Sequence, residues 1–248
     1  MKLAVISDIH GNLHAFESVW ADLHSQAPDA VICLGDLVGY GAFPNEVIDL
    51  VRSRDVPVLM GNYDDGVGYD RDDCGCVYKD PVDDALGHQS LLWTRKHVTA
   101  DRKDYLRSLP FDRREVFGGR RVRFVHGSPR KINEYLYEDR PESVFKNVAR
   151  VADCDVLFFG HTHLPYQKQV EGTLFVNTGS VGKPKDGDPR ASYVLAEFGS
   201  APSITVRRVE YDVTAAALAV RNSGLPVHFA DLLETGGIAT ADEKARQP

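Results

Sequence analysis

Short apolar runs alternate with stretches of helical periodicity through the first two-thirds of the chain. Continuous apolar runs are typical of strands buried on both faces, and apolar residues three or four apart are typical of helices packed against them. The pattern predicts strands at 3–6, 31–34, 56–60 and 156–159, and helices at 13–25, 44–52, 81–97 and 141–151. Asp80 is placed to cap the third of these helices, and Pro81 suits its first position.

After residue 110 the pattern becomes richer in strands. Gly118-Gly119 separates segments 115–117 and 121–125, and such a pair predicts a hairpin turn. Further strands are predicted at 166–170, 173–176, 193–198 and 204–209, followed by a helix at 214–221. This order predicts an α/β fold in which two sheets pack face to face with helices outside. We expect one domain over residues 1–234 and a flexible tail over 235–248, which is small and polar.

Composition narrows the class of protein and of partner. Acidic residues outnumber basic ones by 36 to 29, and the net charge of −7 argues against an extended nucleic-acid or anionic-membrane surface. Four cysteines in 248 residues are too few for a disulfide scaffold. The N-terminal apolar run is too short for a signal peptide, and no run reaches the ~18 residues that span a bilayer. We therefore expect a cytoplasmic protein with no membrane partner. The sequence does not determine its oligomeric state.

Polar residues follow the predicted strands at their carboxyl ends. They are Asp8, His10, Asp36, Asn62, His126, His161 and His163. Taken alone, each has an ordinary explanation: Asp8 or Asn12 could cap the first helix, and Gly35-Asp36 and Gly61-Asn62 are common turn dipeptides. In open α/β sheets, however, the carboxyl ends of the strands converge on one site. Imidazole and carboxylate ligands without thiolates suit Zn, Mn, Fe, Ni or Co rather than a structural zinc site.

In chain order, the motifs D-x-H, G-D, G-N-[HY]-[DE], H-G and G-H-T-H resemble those of the calcineurin-like metallophosphoesterases, most closely the small bacterial and archaeal phosphodiesterase-like branch. The resemblance covers roughly residues 1–210. It implies a four-layer α/β/β/α sandwich of two mixed sheets flanked by helices, with a two-metal centre at one edge. It also implies the ligands: Asp8, His10 and His163 for one ion, Asn62, His126 and His161 for the other, and Asp36 bridging both.

The function that the resemblance implies is a dinuclear metal-dependent phosphoesterase acting on a small phosphate ester. A hydroxide that bridges two divalent ions, such as Mn, Fe, Zn or Ni, would attack phosphorus in line while the ions neutralise the phosphoryl oxygens. Asp36, Asn62, Tyr63 and His126 are the predicted catalytic residues. A phosphodiester or nucleotide substrate is favoured over a phosphomonoester or phosphoprotein. The motifs also leave open a non-catalytic metal-binding scaffold, like the retromer subunit of similar fold, and a DNA-repair nuclease.

Tyr63 departs from the family pattern, which often has histidine after Gly-Asn. That histidine contacts the phosphate or protonates the leaving oxygen. A phenol, with an ordinary pKa of about 10, can donate a hydrogen bond at neutral pH but is a poor cation. Tyr63 is therefore predicted to serve a leaving group that needs little protonation or, alternatively, to pack beside the site.

The segment after Asn62 carries weaker signals. Residues 64–80 hold six aspartates and no predicted element, and they could form a flap over the site that sets substrate choice. Cys74 and Cys76, within this segment, could bind metal, form a redox pair or be two ordinary loop thiols.

Two more segments could support the site. Arg130 and Lys131 follow His126 closely enough to hold an anionic substrate, and residues 177–182 are predicted to position the loop of His161 and His163. Most arginines of the hairpin are instead predicted to form a solvated face: Arg113, Arg114, Arg120, Arg121 and Arg123.

Overall fold

Two mixed sheets form the centre of the computed structural model, which describes residues 1–77, 80–199 and 202–238. The strands are β1 (Lys2–Ile6), β2 (Ala30–Cys33), β3 (Asp112–Phe117), β4 (Arg120–Val125), β5 (Val156–Phe159), β6 (Tyr166–Val170), β7 (Thr173–Asn177), β8 (Ala191–Phe198) and β9 (Pro202–Val209). The first sheet has the order β2-β1-β8-β9 and the second the order β3-β4-β5-β7-β6. β1 is parallel to β2, and β5 is parallel to both β4 and β7. The other neighbours are antiparallel.

Helices flank the sheets. They are α1 (Leu13–Gln26), α2 (Pro44–Ser53), α3 (Asn62–Gly68), α4 (Pro81–His97), α5 (Ala100–Arg107), α6 (Glu142–Ala152), α7 (Val213–Ser223) and α8 (His228–Glu234). The side chain of Asp80 caps α4 by accepting the amide of Val82, as predicted, and Asn12 caps α1 by accepting the amide of Ala15. No helix in the described ranges is long and apolar enough to cross a bilayer.

Alternating side chains of β1 show how the layers are built. Leu3 and Val5 point into a core between the two sheets, which they share with aromatic side chains of β4 and β5. Ala4 and Ile6 point the other way, into a core beneath α1, α2 and α7. A third core, which contains Phe145 of α6, covers the outer face of the second sheet. The predicted four-layer α/β/β/α sandwich is therefore confirmed.

The predicted strand at 56–60 is wrong, because this segment forms only an isolated bridge between Val58 and Cys33. The carbonyl of Pro57 accepts the amide of Cys33, and the amide of Leu59 reaches the carbonyl of Cys33, both at 2.9 Å. Pro57 has no amide hydrogen, so it cannot extend a ladder of hydrogen bonds. The segment still runs beside β2 and delivers Asn62 to the same edge as the strands.

The sequence pattern predicts no helix where α3, α5 and α8 occur. The start of the segment 64–80 belongs to α3, so the expectation that this segment has no element of its own is wrong there. The α3 sequence, Asn-Tyr-Asp-Asp-Gly-Val-Gly, is poor in helix formers. All of its residues except Asp65 are buried, so packing determines this helix where intrinsic propensity does not.

Arg123 is an exception to the predicted solvated face of the hairpin. Its side chain is 8% exposed and forms an ion pair with Asp112. It also donates a hydrogen bond to the carbonyl of Val151, at 2.7 Å. Arg123 therefore ties β4 to the end of α6 rather than facing solvent.

The C-terminal end of the predicted domain is described only in part. The carbonyl of Gly236 accepts the amide of Gly187 at 3.0 Å, so the chain just beyond α8 contacts the loop that precedes β8. Residues 239–248 of the predicted tail lie outside the described residues. The domain limits of 1–234 stay a prediction.

Candidate metal centre

The residues predicted as metal ligands meet at the edge where the parallel strands end. Asp8 and His10 follow β1, Asp36 follows β2, Asn62 opens α3, His126 follows β4, and His161 and His163 follow β5. Because β1 with β2 and β4 with β5 are parallel pairs in two facing sheets, their carboxyl ends converge. All seven side chains are buried. The structure thus brings every predicted ligand to one place.

The potential ligand atoms form two groups that are joined by a carboxylate. Asp8, His10 and His163 offer atoms within 4.8 Å of one another, and so do Asp36, His126 and His161. Asp36 Oδ2 lies 3.6 Å from His10 Nε2 in the first group and 3.4 Å from His126 Nε2 in its own group. One carboxylate oxygen therefore faces imidazoles of both groups, as a ligand shared by two cations would.

Backbone carbonyls fix the tautomer of three of the imidazoles. Nδ1 of His10 lies 2.9 Å from the carbonyl oxygen of Val38, Nδ1 of His126 lies 3.0 Å from that of Leu34, and Nδ1 of His163 lies 2.5 Å from that of Lys183. A carbonyl oxygen only accepts, so each Nδ1 carries the proton. In the neutral ring the lone pair of Nε2 then points into the centre and is available to a metal.

Two neutral imidazoles face each other across the first group. Burial lowers the pKa of His10 to about 3, against the opposing charge of Asp36, and burial lowers the pKa of His163 well below its ordinary value. Nε2 of His10 lies 3.2 Å from Nε2 of His163, and Oδ1 of Asp8 also lies 3.2 Å from Nε2 of His163. Acceptors so close together repel unless a cation lies among them. The donor set of this group therefore fits a divalent metal.

Unpartnered atoms point to the same conclusion. Asp8 Oδ1 and His161 Nε2 are buried and form no hydrogen bond with the described residues, although a buried polar atom without a partner costs about 1–3 kcal/mol. At His126, burial favours a lower pKa, but the charges of Asp36 and Asp8 outweigh it and raise the pKa to about 9. The same carboxylates would stabilise a metal cation at this position.

Most of these residues have an unusual backbone conformation. The φ angle is 56° at Asp8, 50° at His10, 54° at Asp36, 64° at His161 and 62° at His163. Residues with a side chain adopt this left-handed region rarely, because Cβ approaches the following carbonyl oxygen. Such conformations persist where the surrounding structure enforces them, and they are concentrated at functional sites.

The comparison with known proteins agrees with this geometry. Residues 1–201 match the family model of the calcineurin-like phosphoesterase superfamily domain. The chain belongs to this superfamily. An uncharacterized protein of Methanocaldococcus jannaschii is 34% identical over an alignment of 253 positions, which covers 94% of this chain and 98% of that protein. The phosphodiesterase YfcE of Escherichia coli strain K12 is 28% identical over 207 residues, which cover 79% of this chain and 88% of that enzyme.

A solved structure extends the likeness to the fold. A metallophosphoesterase from Sphaerobacter thermophilus is 33% identical, with a TM-score of 0.76, and the match covers 95% of this chain and 99% of that one. The predicted family is thereby confirmed, and the chain is a metal-dependent phosphoester hydrolase. Its two groups of carboxylate and imidazole side chains are suited to divalent metal ions.

In this phosphoesterase, Asn62 is held so that its oxygen faces the centre. Asn62 Oδ1 lies 3.0 Å from His126 Nε2, whereas Nδ2 donates to the carbonyl of Cys74 at 3.0 Å and to Cys76 Sγ at 3.2 Å. The two cysteines are partly buried free thiols whose sulfur atoms are 3.0 Å apart. The segment after α3 therefore lies against the site, and its thiols contact the amide side of Asn62.

Tyr63 lies behind the metal centre in a packed environment. Its side chain is 1% exposed, and its ring centroid is 4.7 Å from that of Tyr40 and 5.6 Å from that of His10. The hydroxyl lies 3.4 Å from the carbonyl of Gly87 in α4, which is a weak hydrogen bond at best. The Tyr63 amide, in contrast, donates to Asp36 Oδ1 at 2.8 Å. This geometry favours packing beside the site, and the catalytic role of the hydroxyl stays a prediction.

Asp64, the first residue of the acidic segment 64–80, is a structural carboxylate of the site. It is fully buried and accepts the amides of Asp36, Leu37 and Gly61, at 2.8, 2.9 and 3.0 Å. Burial and the charge of Asp36 raise its pKa to about 7. Asp64 thus braces the two turns that carry Asp36 and Asn62. In the sequence, the position of Asp64 at the end of the G-N-[HY]-[DE] motif was the one indication that it belongs to the site.

The segment 177–182 contacts the histidine loop, as predicted. Nδ2 of Asn177 donates to the carbonyl of Gly160 at 3.0 Å and to Thr162 Oγ1 at 2.9 Å. The hydroxyl of Ser180 donates to the carbonyl of Asp8 at 2.7 Å. This turn therefore connects the end of β5 to the end of β1, which places the ligands of the first group side by side.

A cleft of about 1290 Å³ opens beside the metal centre. Two tyrosines that line it contact histidines of the centre. The ring centroid of Tyr40 lies 4.9 Å from that of His10, and the ring centroid of Tyr135 lies 4.0 Å from that of His161. A phosphate ester bound at the metals would therefore extend into this cleft.

Cationic side chains line the same cleft. Arg130 and Lys131 are among them, in the position that the sequence analysis expected for groups near an anionic substrate. Lys183 and Lys185 also line the cleft, and sequence reasoning missed both. Burial, followed by the charge of Lys185, lowers the pKa of Lys183 to about 7.

Proposed function

We propose that this phosphoesterase hydrolyses small phosphodiesters or nucleotides at a centre of two divalent metal ions. The observation that carries the proposal is Asp36, whose Oδ2 lies between His10 and His126, one from each group of potential ligands. A carboxylate in this position is suited to bridging two cations and holding them roughly 3.5–4 Å apart. The E. coli relative, which is named a phosphodiesterase, supports a diester substrate.

The proposed ligands divide between the ions as the two groups do. Asp8, His10 and His163 hold one ion, His126 and His161 hold the other, and Asp36 contacts both. Asn62, whose Oδ1 lies 3.0 Å from His126 Nε2, completes the second set. Mn, Fe, Zn or Ni would suit these nitrogen and oxygen donors. When bound, the ions supply the positive charge that activates a water near neutral pH and neutralises phosphoryl oxygens.

The residues of the chain contribute orientation and charge. Asn62 offers a neutral oxygen, so the centre carries only the two negative charges of Asp8 and Asp36 and can accept a phosphate. The carbonyls behind His10, His126 and His163 hold each Nε2 in place, and this lowers the reorganisation needed when the metals bind. The cleft next to Tyr40 and Tyr135 has room for the remainder of the ester.

The four cysteines support the predicted cytoplasmic location. Cys33, Cys74, Cys76 and Cys154 are all free thiols. Four cysteines in 248 residues are too few for a disulfide-stabilised secreted domain, and such a content is typical of proteins in a reducing compartment.

A metal-dependent activity assay tests the proposal. The protein is stripped with a chelator and reloaded with Mn, Ni, Zn, Fe or Mg, and each form is assayed on an aryl phosphodiester and an aryl phosphomonoester. Bound metal is counted by mass spectrometry. We expect close to two ions per chain in the active forms and a higher kcat/KM on the diester.

Asp36→Asn is the decisive variant. It removes the shared negative charge at constant shape, and we expect kcat/KM to fall by about 1000-fold with loss of at least one ion. Asp104→Asn on the exposed face of α5 is the matched control and should retain wild-type activity. Full activity of Asp36→Asn, or activity with a single bound ion, would overturn the two-metal proposal.

A further inference from the structure

Lys183 is a buried lysine that no carboxylate of the described residues pairs with. It is 8% exposed, and its Nζ lies over the ring of Tyr40 at 4.4 Å and that of Phe229 at 6.0 Å. Aromatic faces offset only part of the cost of burying an ammonium group, and fully buried lysines are usually paired. Lys183 therefore has an unused capacity to bind an anion.

The backbone of Lys183 fixes this cation next to the metal centre. Its carbonyl accepts the Nδ1 proton of His163 at 2.5 Å, so the side chain starts from a residue that contacts a metal ligand. Its ammonium lies on the ring of Tyr40, which also touches His10. Lys185, two residues further along, lines the same cleft and is exposed to it.

The acidic residues of the cleft are engaged elsewhere. Glu134 forms an ion pair with Arg130, and Asp83 lies 3.5 Å from His228 Nε2, although the negative charge of Asp83 also favours a higher pKa for both lysines. Asp80 caps α4 through its side chain. None of them forms an ion pair with the two lysines in the described part of the chain. The lysines therefore form a local positive site although the whole chain carries a net charge of −7.

We propose that Lys183 and Lys185 form a subsite for a second phosphoryl group, so that the favoured substrate carries a pyrophosphate or longer polyphosphate chain. This rests on the proposed function, because the first phosphoryl group would occupy the metal centre. The charge of that first group would be neutralised by the metal ions. Two lysines beyond the centre match a further phosphoryl group, which a simple diester lacks.

Binding of inorganic anions tests the subsite without turnover. Orthophosphate and imidodiphosphate, a pyrophosphate that resists hydrolysis, are titrated into the metal-loaded protein by calorimetry, with free metal held constant. We expect the wild-type protein to bind imidodiphosphate at least 10-fold more tightly than orthophosphate. Charge-assisted hydrogen bonds of this kind are typically worth about 10- to 100-fold in affinity.

Variants separate the subsite from the fold and from the metals. Lys185→Gln, which changes an exposed residue, and Lys183→Gln should each reduce the preference for imidodiphosphate about 10-fold and leave orthophosphate binding nearly unchanged. Lys183→Arg should restore most of the preference because it keeps the charge. Lys146→Gln is the control: this lysine is paired with Glu142 on α6, away from the cleft.

The outcomes distinguish this inference from the proposed function. Equal losses for both anions would mean that the lysines hold the reacting phosphate, and unchanged affinities would mean that they bind no phosphate; either result overturns the second subsite. Activity on nucleoside diphosphates and on a nucleoside 5′-aryl monophosphate is measured in parallel. If the metal-loaded wild type hydrolyses no ester, the proposed function is refuted. The relative affinities for imidodiphosphate and orthophosphate would still test the second subsite.

Discussion

Asp64 connects the turn after β2 to the start of α3, and its replacement tests how the metal centre is held. Its buried carboxylate is the acceptor for the amides of Asp36, Leu37 and Gly61. Asp64→Ala leaves three buried donors without a partner, each costing about 1–3 kcal/mol. Allowing for relaxation, we expect the free energy of unfolding to fall by about 3–6 kcal/mol. A domain is typically stable by ~5–15 kcal/mol, so this loss is large.

Urea unfolding of the metal-free proteins, followed by circular dichroism in EDTA, measures this effect apart from metal binding. Asp64→Asn keeps the shape but presents an NH2 group to one of the amides, so we expect a smaller loss of about 1–3 kcal/mol. The adjacent Asp65, whose carboxylate pairs with the exposed Arg71, gives the control Asp65→Ala, with an expected loss of about 1 kcal/mol or less. If Asp64→Ala were no more destabilising than Asp65→Ala, the bracing role would be refuted.

Two further substitutions probe the catalytic set and the first sheet. Tyr63→Phe removes a hydroxyl that lies 3.4 Å from the carbonyl of Gly87. We expect the steady-state turnover of aryl and alkyl esters to change little. A loss of about 100-fold on alkyl esters would instead establish that the hydroxyl donates a proton to the leaving group. Asp22 joins α1 to β8 and β9 by accepting hydrogen bonds from Tyr193 and Arg207, and Asp22→Asn should cost about 1–3 kcal/mol at pH 7 by urea unfolding. Burial opposes ionisation of Asp22, but these bonds hold its pKa below the ordinary 3.8. The stabilisation that ionised Asp22 gives the fold is therefore complete above pH 3.8 and declines as the pH falls further. A destabilisation by Asp22→Asn that stayed constant down to pH 2 would contradict this.

Local signals predicted most of the regular elements well. The strands Val156–Phe159 and Tyr166–Val170 and the helix Pro81–His97 have the predicted limits. Apolar runs, caps and turn dipeptides are properties of neighbouring residues, so they can be recognised in one sequence. The proposed ligands could be grouped from the sequence because most of them come shortly after a buried strand, and parallel strands bring such positions together. Asn62 is the exception, because it opens α3.

The rest depends on contacts between residues that are distant in sequence. The buried state of Asp64 follows from amides that are up to 28 positions away, and the acidic residues after it do not distinguish it from exposed aspartates. The helical conformation of α3 depends on packing that overrides a poor helical composition. Lys183 belongs to a polar segment with no pattern of its own, and only the folded chain places it on Tyr40, 143 positions earlier in the sequence.

The geometry of the centre is determined by the two sheets more than by the ligand loops themselves. Five ligands have left-handed backbones, and at about 1–3 kcal/mol each such strain adds up to an amount comparable with the stability of a domain. The loops cannot maintain these conformations alone. Leu3 and Val5 lock β1 into the core between the sheets, and Ala4 and Ile6 lock its other face beneath the helices. Because β1 is fixed on both faces, Asp8 and His10 have little freedom to relax, and the two sheets hold both side chains at the edge where the strands end.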